Sequence, residues 1–291
     1  MLSGVMQLWF FLTAISVLYV AVDSLKTPES PVLKWGFILL TAYTGPIGAF
    51  LYVLGCREPL PGLHERYTAI LWRQVLGSTM HCVAGDGLGI LVGAIIGGMI
   101  HLAKPAEISL EYLLGFGFGW TIFQALFMKA SAGGSFYKAL KNTFIPELVS
   151  MNYLMAAMVV VTSIGMNMVP ESSSPLTMEF WFIMSMALLV GFIAAYPINW
   201  WLVSNHLKHG MMTVRPSQSS SMDANMQEHG SVDRSTHETS AESHDTDNDT
   251  GHDTGHNTSN QQDKVSSAAI AFMVAVSFIV LGLGVSFALM Y

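Results

Sequence analysis

Residues 75–101 read VLGSTMHCVAGDGLGILVGAIIGGMIH. A helix rises 1.5 Å per residue, so about 20 apolar residues cross the ~30 Å of hydrocarbon in a bilayer. This stretch exceeds that length without a Lys or Arg, and it carries His81, Cys82 and Asp86 inside the run. It reads as a transmembrane helix with ionisable groups in the membrane, and the rest of the chain has to be read in the same solvent.

Six further segments approach the same length, near 5–22, 35–55, 110–128, 149–169, 178–203 and 266–290. In lipid every backbone polar group must be satisfied within its own segment, which makes helix the default. The fold expected is therefore all-α: a polytopic transmembrane helical bundle of about seven spans. Composition agrees, since 52% of the 291 residues are hydrophobic and 11% charged, against about 25% charged in soluble domains. The first segment lacks the basic flank and small-residue cleavage site of a signal peptide, so it is expected to stay as a helix. Lys and Arg concentrate in alternate loops, at Arg57, Arg66, Arg73, Lys129, Lys138, Lys141, Lys208, Arg215, Arg234 and Lys264. By the positive-inside tendency this predicts a multi-pass inner (plasma) membrane protein with a cytoplasmic N-terminus and an outside C-terminus. Losing one span would invert everything after it. Residues 129–148 are expected to form a short amphipathic helix on the cytoplasmic surface before Pro146.

Three regions follow: a membrane core over 1–215 holding the first six spans, a linker over 216–263, and a final helix over 264–291. Ser, Thr, Asp, Asn and Gln dominate the linker, which cannot bury enough apolar surface to offset its ordering entropy and reads as disordered. Residues 206–264 contribute +4 and −10 to the net charge of −7, so the acidity belongs mostly to this segment. Nothing resembles a nucleic-acid groove. Cys56 and Cys82 are too few for a disulfide framework and read as free thiols.

Within 75–101 the threes-and-fours spacing puts Ser78, Cys82, Gly85, Asp86, Gly89, Gly93 and Gly97 on one helix face. Gly85, Gly89, Gly93 and Gly97 admit close approach of a neighbouring backbone, the small-xxx-small logic of membrane helix packing. Asp86 should face the bundle interior, because a carboxylate near mid-membrane costs at least ~2.5 kcal/mol. His81, Cys82, Asp86 and Ser78 are thus candidates for a transport or polar intramembrane path; polar packing is the alternative. Met80, His81 and Cys82 offer thioether, imidazole and thiol, a set suited to copper or zinc. Adjacent residues diverge by 100° on a helix, so further ligands would have to come from elsewhere, such as the Met151, Met155 and Met158 stripe, which as packing needs no metal. His206 and His209 form a second candidate pair, or a basic interfacial anchor. The linker histidines His229, His237, His244, His252 and His256 suit a weak metal-capture arm or plain solvation. Pro46 and Pro197 each remove a helix hydrogen bond and predict kinks. No enzyme motif is present, and the chain is read as a non-enzyme.

Three blocks resemble the domain of unknown function 4396 family of prokaryotic integral-membrane proteins. They are Leu40-Thr41-Ala42-Tyr43-Thr44-Gly45-Pro46-Ile47-Gly48, Met80-His81-Cys82-Val83-Ala84-Gly85, and Phe180-Trp181-Phe182 continuing to Tyr196-Pro197-Ile198-Asn199-Trp200-Trp201-Leu202. Their order and spacing make the likeness cover about residues 20 to 210. The resemblance implies a membrane fold and a focus at His81 and Cys82, with Asp86 or its neighbours standing where family members carry a second cysteine. It implies no substrate. The functional expectation is transport or handling of a soft transition-metal ion or another small solute. The alternative is a structural or assembly partner of another membrane protein, or of a second copy, docking through the glycine face.

Overall fold

The computed structural model describes residues 2–27, 31–57, 67, 69–126, 135–208, 210 and 265–291. The 216–263 linker with its histidines, and His209, lie outside the described residues. Among those described there is no strand. The described residues form eight α-helices: α1 (Leu2–Ser24), α2 (Pro31–Thr44), α3 (Pro46–Gly55), α4 (Leu71–Met99), α5 (Lys104–Phe118), α6 (Phe136–Met168), α7 (Met178–Ser204) and α8 (Ser267–Met290). A π-helical segment, Gly119–Ala125, prolongs α5, and a 3-10 turn, Pro170–Ser173, precedes α7. Among the described residues five helices, α1, α4, α6, α7 and α8, are long and apolar enough to cross a bilayer, so the chain is a multi-pass membrane protein.

Local chemistry sets the helix starts. Ser135, Thr177 and Ser266 cap α6, α7 and α8 by accepting from the amides of Lys138, Phe180 and Ala269, which satisfies donors a helix start leaves open. Outward positions of α1 and α8, such as Leu8, Phe11, Leu18, Phe272 and Leu283, are exposed apolar side chains, as lipid-facing positions should be.

The segment 35–55 departs from the expectation of a single span. Its chain reverses at Gly45, whose φ of 62° lies in the left-handed region open to glycine. Pro46 then starts α3, where its fixed φ and missing N–H cost nothing. In one continuous helix Phe37 and Tyr52 would stand about 22 Å apart along the axis, yet their ring centroids are 5.2 Å apart. A Cβ on Gly48 would likewise meet the Thr41 Cα at 2.8 Å. So α2 and α3 form a hairpin that enters the bundle and returns. Its tip lies against Trp9 and Thr13 of α1, and its base is tied to the end of α1. There the Tyr52 hydroxyl lies 2.9 Å from Thr27 Oγ1 and donates to Asp23 at 3.1 Å. Arg57 Nε donates to the same carboxylate at 2.9 Å, and that hydrogen bond holds the guanidinium above its ordinary pKa range. Non-helical backbone at such depth is tolerated where protein buries it, and Gly45 is buried.

Two other expectations change. Residues 136–168 form one helix running through Pro146, so the separate surface helix expected before that proline is absorbed into the span. Membrane helices tolerate an internal proline because neighbours satisfy the freed groups. In α7 the helix also continues through Pro197 to Ser204. The fourth apolar segment begins earlier than expected, at Lys104, and turns π-helical beyond Phe118.

The glycine face of α4 packs inside this chain. A Cβ on Gly89 would fall on the Leu114 carbonyl, one on Gly93 would meet the Glu111 backbone at 2.7 Å, and one on Gly97 would meet Glu107 Cγ at 3.0 Å. A Cβ on Gly85 would strike Phe123 and Gly119. The face is thus filled by α5 and its π-helical extension. Helix α8 docks on α6 by the same device, Gly284 lying over the Ala156 backbone, and Asn152 Nδ2 donates to Ser277 Oγ at 2.9 Å.

Candidate functional site

Cys82 projects from the middle of α4 into the seam with α6 and α7, and it is fully buried. Its Sγ donates to Glu147 Oε2 at 3.0 Å and lies 3.8 Å from Asp86 Oδ2 and 3.4 Å from Ser150 Oγ. Asp86 stands one turn further along the same helix face, so α4 supplies both groups from an i, i+4 spacing. Glu147 and Ser150 share the facing side of α6 for the same reason, being three apart. From beyond the end of α7, Lys208 reaches back and donates from Nζ to Cys82 Sγ at 3.0 Å, Glu147 Oε2 at 3.3 Å and Asn199 Oδ1 at 2.9 Å. Asn199 in turn donates to Ser150 Oγ at 3.0 Å. Asp86, Glu147 and Asn199 show no exposure at all.

One ligand atom from each of Cys82, Asp86 and Glu147 falls within 4.8 Å of the others. Among the described residues Asp86 Oδ1 and Glu147 Oε1 have no hydrogen-bond partner. Both turn toward Gly119, where a Cβ would fall on Asp86 Oδ1 and lie 2.8 Å from Glu147 Oε1. The first residue of the π-helical segment therefore opens the space the carboxylates use, and single π-turns inside helices are frequent at functional sites.

The residues singled out in the sequence divide here. Cys82 and Asp86 meet in the cluster. Ser78 lies buried one turn before Cys82 on α4. His81 points to another wall, donating from Nε2 to the Phe123 carbonyl of the π-helical segment at 2.9 Å. Met80 faces α3, with its Sδ 3.9 Å from Cys56 Sγ. Met151, Met155 and Met158 are packed in the core. His206 is exposed just after α7. Both cysteines are free thiols.

Sequence reasoning misses Glu147, Lys208 and Ser150 as members of the site, and it names Asn199 only within the block Tyr196–Leu202 that carries the family resemblance. Glu147 falls in the stretch expected to form a surface helix, although an acid directly after Pro146, beside an apolar run, is itself an intramembrane signal. Lys208 reads as an interfacial anchor, because nothing local shows that the chain turns back.

A second polar line follows the α5–α6 seam. Glu107 and Glu111 border a small cavity with Thr162 and Ser163, and one residue on, Tyr112 donates to Asn152 Oδ1 at 2.6 Å.

No curated protein and no solved structure matches the chain. A family match begins at residue 71, so the Leu40–Gly48 block lies ahead of it, while the blocks that include Cys82 and Asn199 lie inside. By that match residues 71–208, which contain every member of the buried cluster, are similar to the family described as domain of unknown function (DUF4396).

Proposed function

We propose that this membrane protein binds a divalent transition-metal ion within the bilayer, between Cys82, Asp86 and Glu147, and serves in its transport or handling. The observation that carries the reading is a buried thiol and two carboxylates within 4.8 Å of one another, each carboxylate holding an oxygen without a partner. Bonds of about 2.0–2.3 Å in a tetrahedral site place ligand atoms roughly 3.3–3.8 Å apart, and the Cys82 Sγ distances of 3.0 and 3.8 Å to the two carboxylates need little adjustment. One sulfur with two oxygens suits zinc and its borderline neighbours better than copper(I). His81, Met80 and His206 are left out of the ligand set by where they point. The reading is non-enzymatic, and Glu111, Tyr112 and Asn152 mark a polar approach to Asp86 from the other end of the bundle.

The rival, docking of another protein on the glycine face, loses support because α5 covers that face. Metal content of the detergent-purified chain tests the choice. Stoichiometric zinc or cobalt in the wild type, lost in Cys82→Ser and kept in Met80→Leu, is expected; no metal in any form would sink it.

The hairpin also changes the topology we propose. In place of seven spans the bundle has six crossing segments, α1, α4, α5 with its π-helical extension, α6, α7 and α8, and one re-entrant pair. The starts of α4 and α6 and the end of α7 then share one face with Arg57, Arg73, Lys138, Lys141 and Lys208, which the positive-inside tendency makes cytoplasmic. The start of α1 and the end of α8 fall together on the opposite side, reversing the orientation expected for α1. Single cysteines at Ser3 and Ser173 should label from outside the cell and one at Ser135 should not; the reverse pattern would overturn this.

A further inference from the structure

Lys208 is an unusual neighbour for a metal site. After α7 ends, the amides of Leu207 and Lys208 both bond the Leu202 carbonyl, at 2.9 and 3.1 Å. His206 adopts a φ of 56°, in the left-handed region. These contacts hook the chain back on itself and send the Lys208 side chain under the end of the bundle. Its three donors all go to one place, two of them to Cys82 Sγ and Glu147 Oε2. An ammonium has three donors and no acceptor, so its hydrogen bonding is complete there. A metal ion held by Cys82 and Glu147 needs the lone pairs that Lys208 now engages, and two cations a few ångströms apart in a buried site repel strongly.

We propose that Lys208 is the built-in counter-cation of this site: it fills the metal-free site and swings out as a divalent ion enters, so that ion and ammonium exchange. The inference rests on the metal reading above. Charge arithmetic gives it a selective consequence. A monovalent ion replacing an ammonium gains no charge against the carboxylates, whereas a divalent ion gains one, which the Cys82 thiol balances by releasing its proton to water as it becomes a thiolate ligand, so the exchange favours divalent ions. The path out is short, because His206, two residues before Lys208, is already exposed.

Cobalt(II) is the probe, with the full chain in detergent. Titrations follow the thiolate-to-cobalt charge-transfer absorption in the wild type and in Lys208→Met. In parallel, acylation of Lys208 by an amine-reactive ester is read by peptide mass spectrometry with and without saturating cobalt, using the exposed Lys138 as reference. If Lys208 leaves the site free about one time in ten, its removal should tighten apparent cobalt binding about tenfold. Cobalt should also raise Lys208 acylation while Lys138 stays constant. Cobalt bound through the thiol with Lys208 still protected, and with no tightening in Lys208→Met, would overturn the exchange and leave the metal site standing. Absence of the thiolate absorption from both proteins would instead remove the metal reading and this inference together. Should Lys208→Met fail to fold, the acylation of the wild type decides alone.

Discussion

Met80 and Cys82 sit two residues apart on α4, and each brings a sulfur atom into the protein interior, yet their surroundings have little in common. Met80 meets Cys56 across α3, thioether against thiol, inside the apolar core with Tyr52 and Leu76. Cys82 meets two carboxylates, an ammonium and a serine. A thioether against a thiol, packed with apolar neighbours, is accounted for by packing alone. A thiol facing two carboxylates is a ligand set. Softness of the donor is equal on both sides, so what separates them is the charge that α6 and the end of α7 bring to one and not the other.

The largest test of that contrast removes the charge. Glu147→Ala leaves Lys208 without its buried carboxylate and should cost about 3–5 kcal/mol. Pairing Glu147→Met with Lys208→Met should recover most of it, because two apolar side chains replace a desolvated ion pair. Thermal unfolding in detergent measures both. A loss below ~1 kcal/mol in the single variant, the range of an exposed pair, would mean that the buried pair is not formed.

Next in size is the metal signal. Cys82→Ser should abolish thiolate-to-cobalt absorption and Cys56→Ser should leave it intact; an effect confined to Cys56 would invert the comparison. Gly119→Ala follows, since its Cβ falls on Asp86 Oδ1: overpacking should cost about 1–3 kcal/mol and weaken cobalt binding. Two residues earlier, a Cβ added to Gly117 would meet nothing within 4 Å. Gly117→Ala should therefore be neutral or stabilising by up to ~1 kcal/mol. Equal losses at the two glycines would show that Gly119 matters only for its helix propensity. The smallest effect is expected at Met80→Leu, a near-isosteric core exchange that should cost less than ~1.5 kcal/mol and leave cobalt binding unchanged.

How much of this is legible varies along the chain. Apolar length alone identifies α1, α4, α7 and α8, and it picks out Asp86 and Cys82, because an ionisable group within such a run needs no partner to be conspicuous. The threes and fours of Gly85, Gly89, Gly93 and Gly97 mark a small-residue face, but they carry no information about which helix fills it. At Gly45-Pro46 the letters are compatible with a kink or a full reversal. The φ of 62° and the contact of Phe37 with Tyr52 decide for the reversal. Glu147 is hidden by its position near the edge of an apolar run, and Lys208 by an ordinary role for lysine at a membrane boundary.

By itself, then, the sequence determined the solvent of this protein, its helical class and two members of its buried cluster, since hydrophobic length and misplaced charge are properties of a single segment. Only the tertiary structure decided that α2 and α3 turn back, that α5 covers the glycine face, and that Glu147 and Lys208 close on Cys82. Those outcomes depend on pairings between residues up to 126 positions apart, and the energy of a buried charge depends on the partner it meets, which no local stretch of sequence specifies.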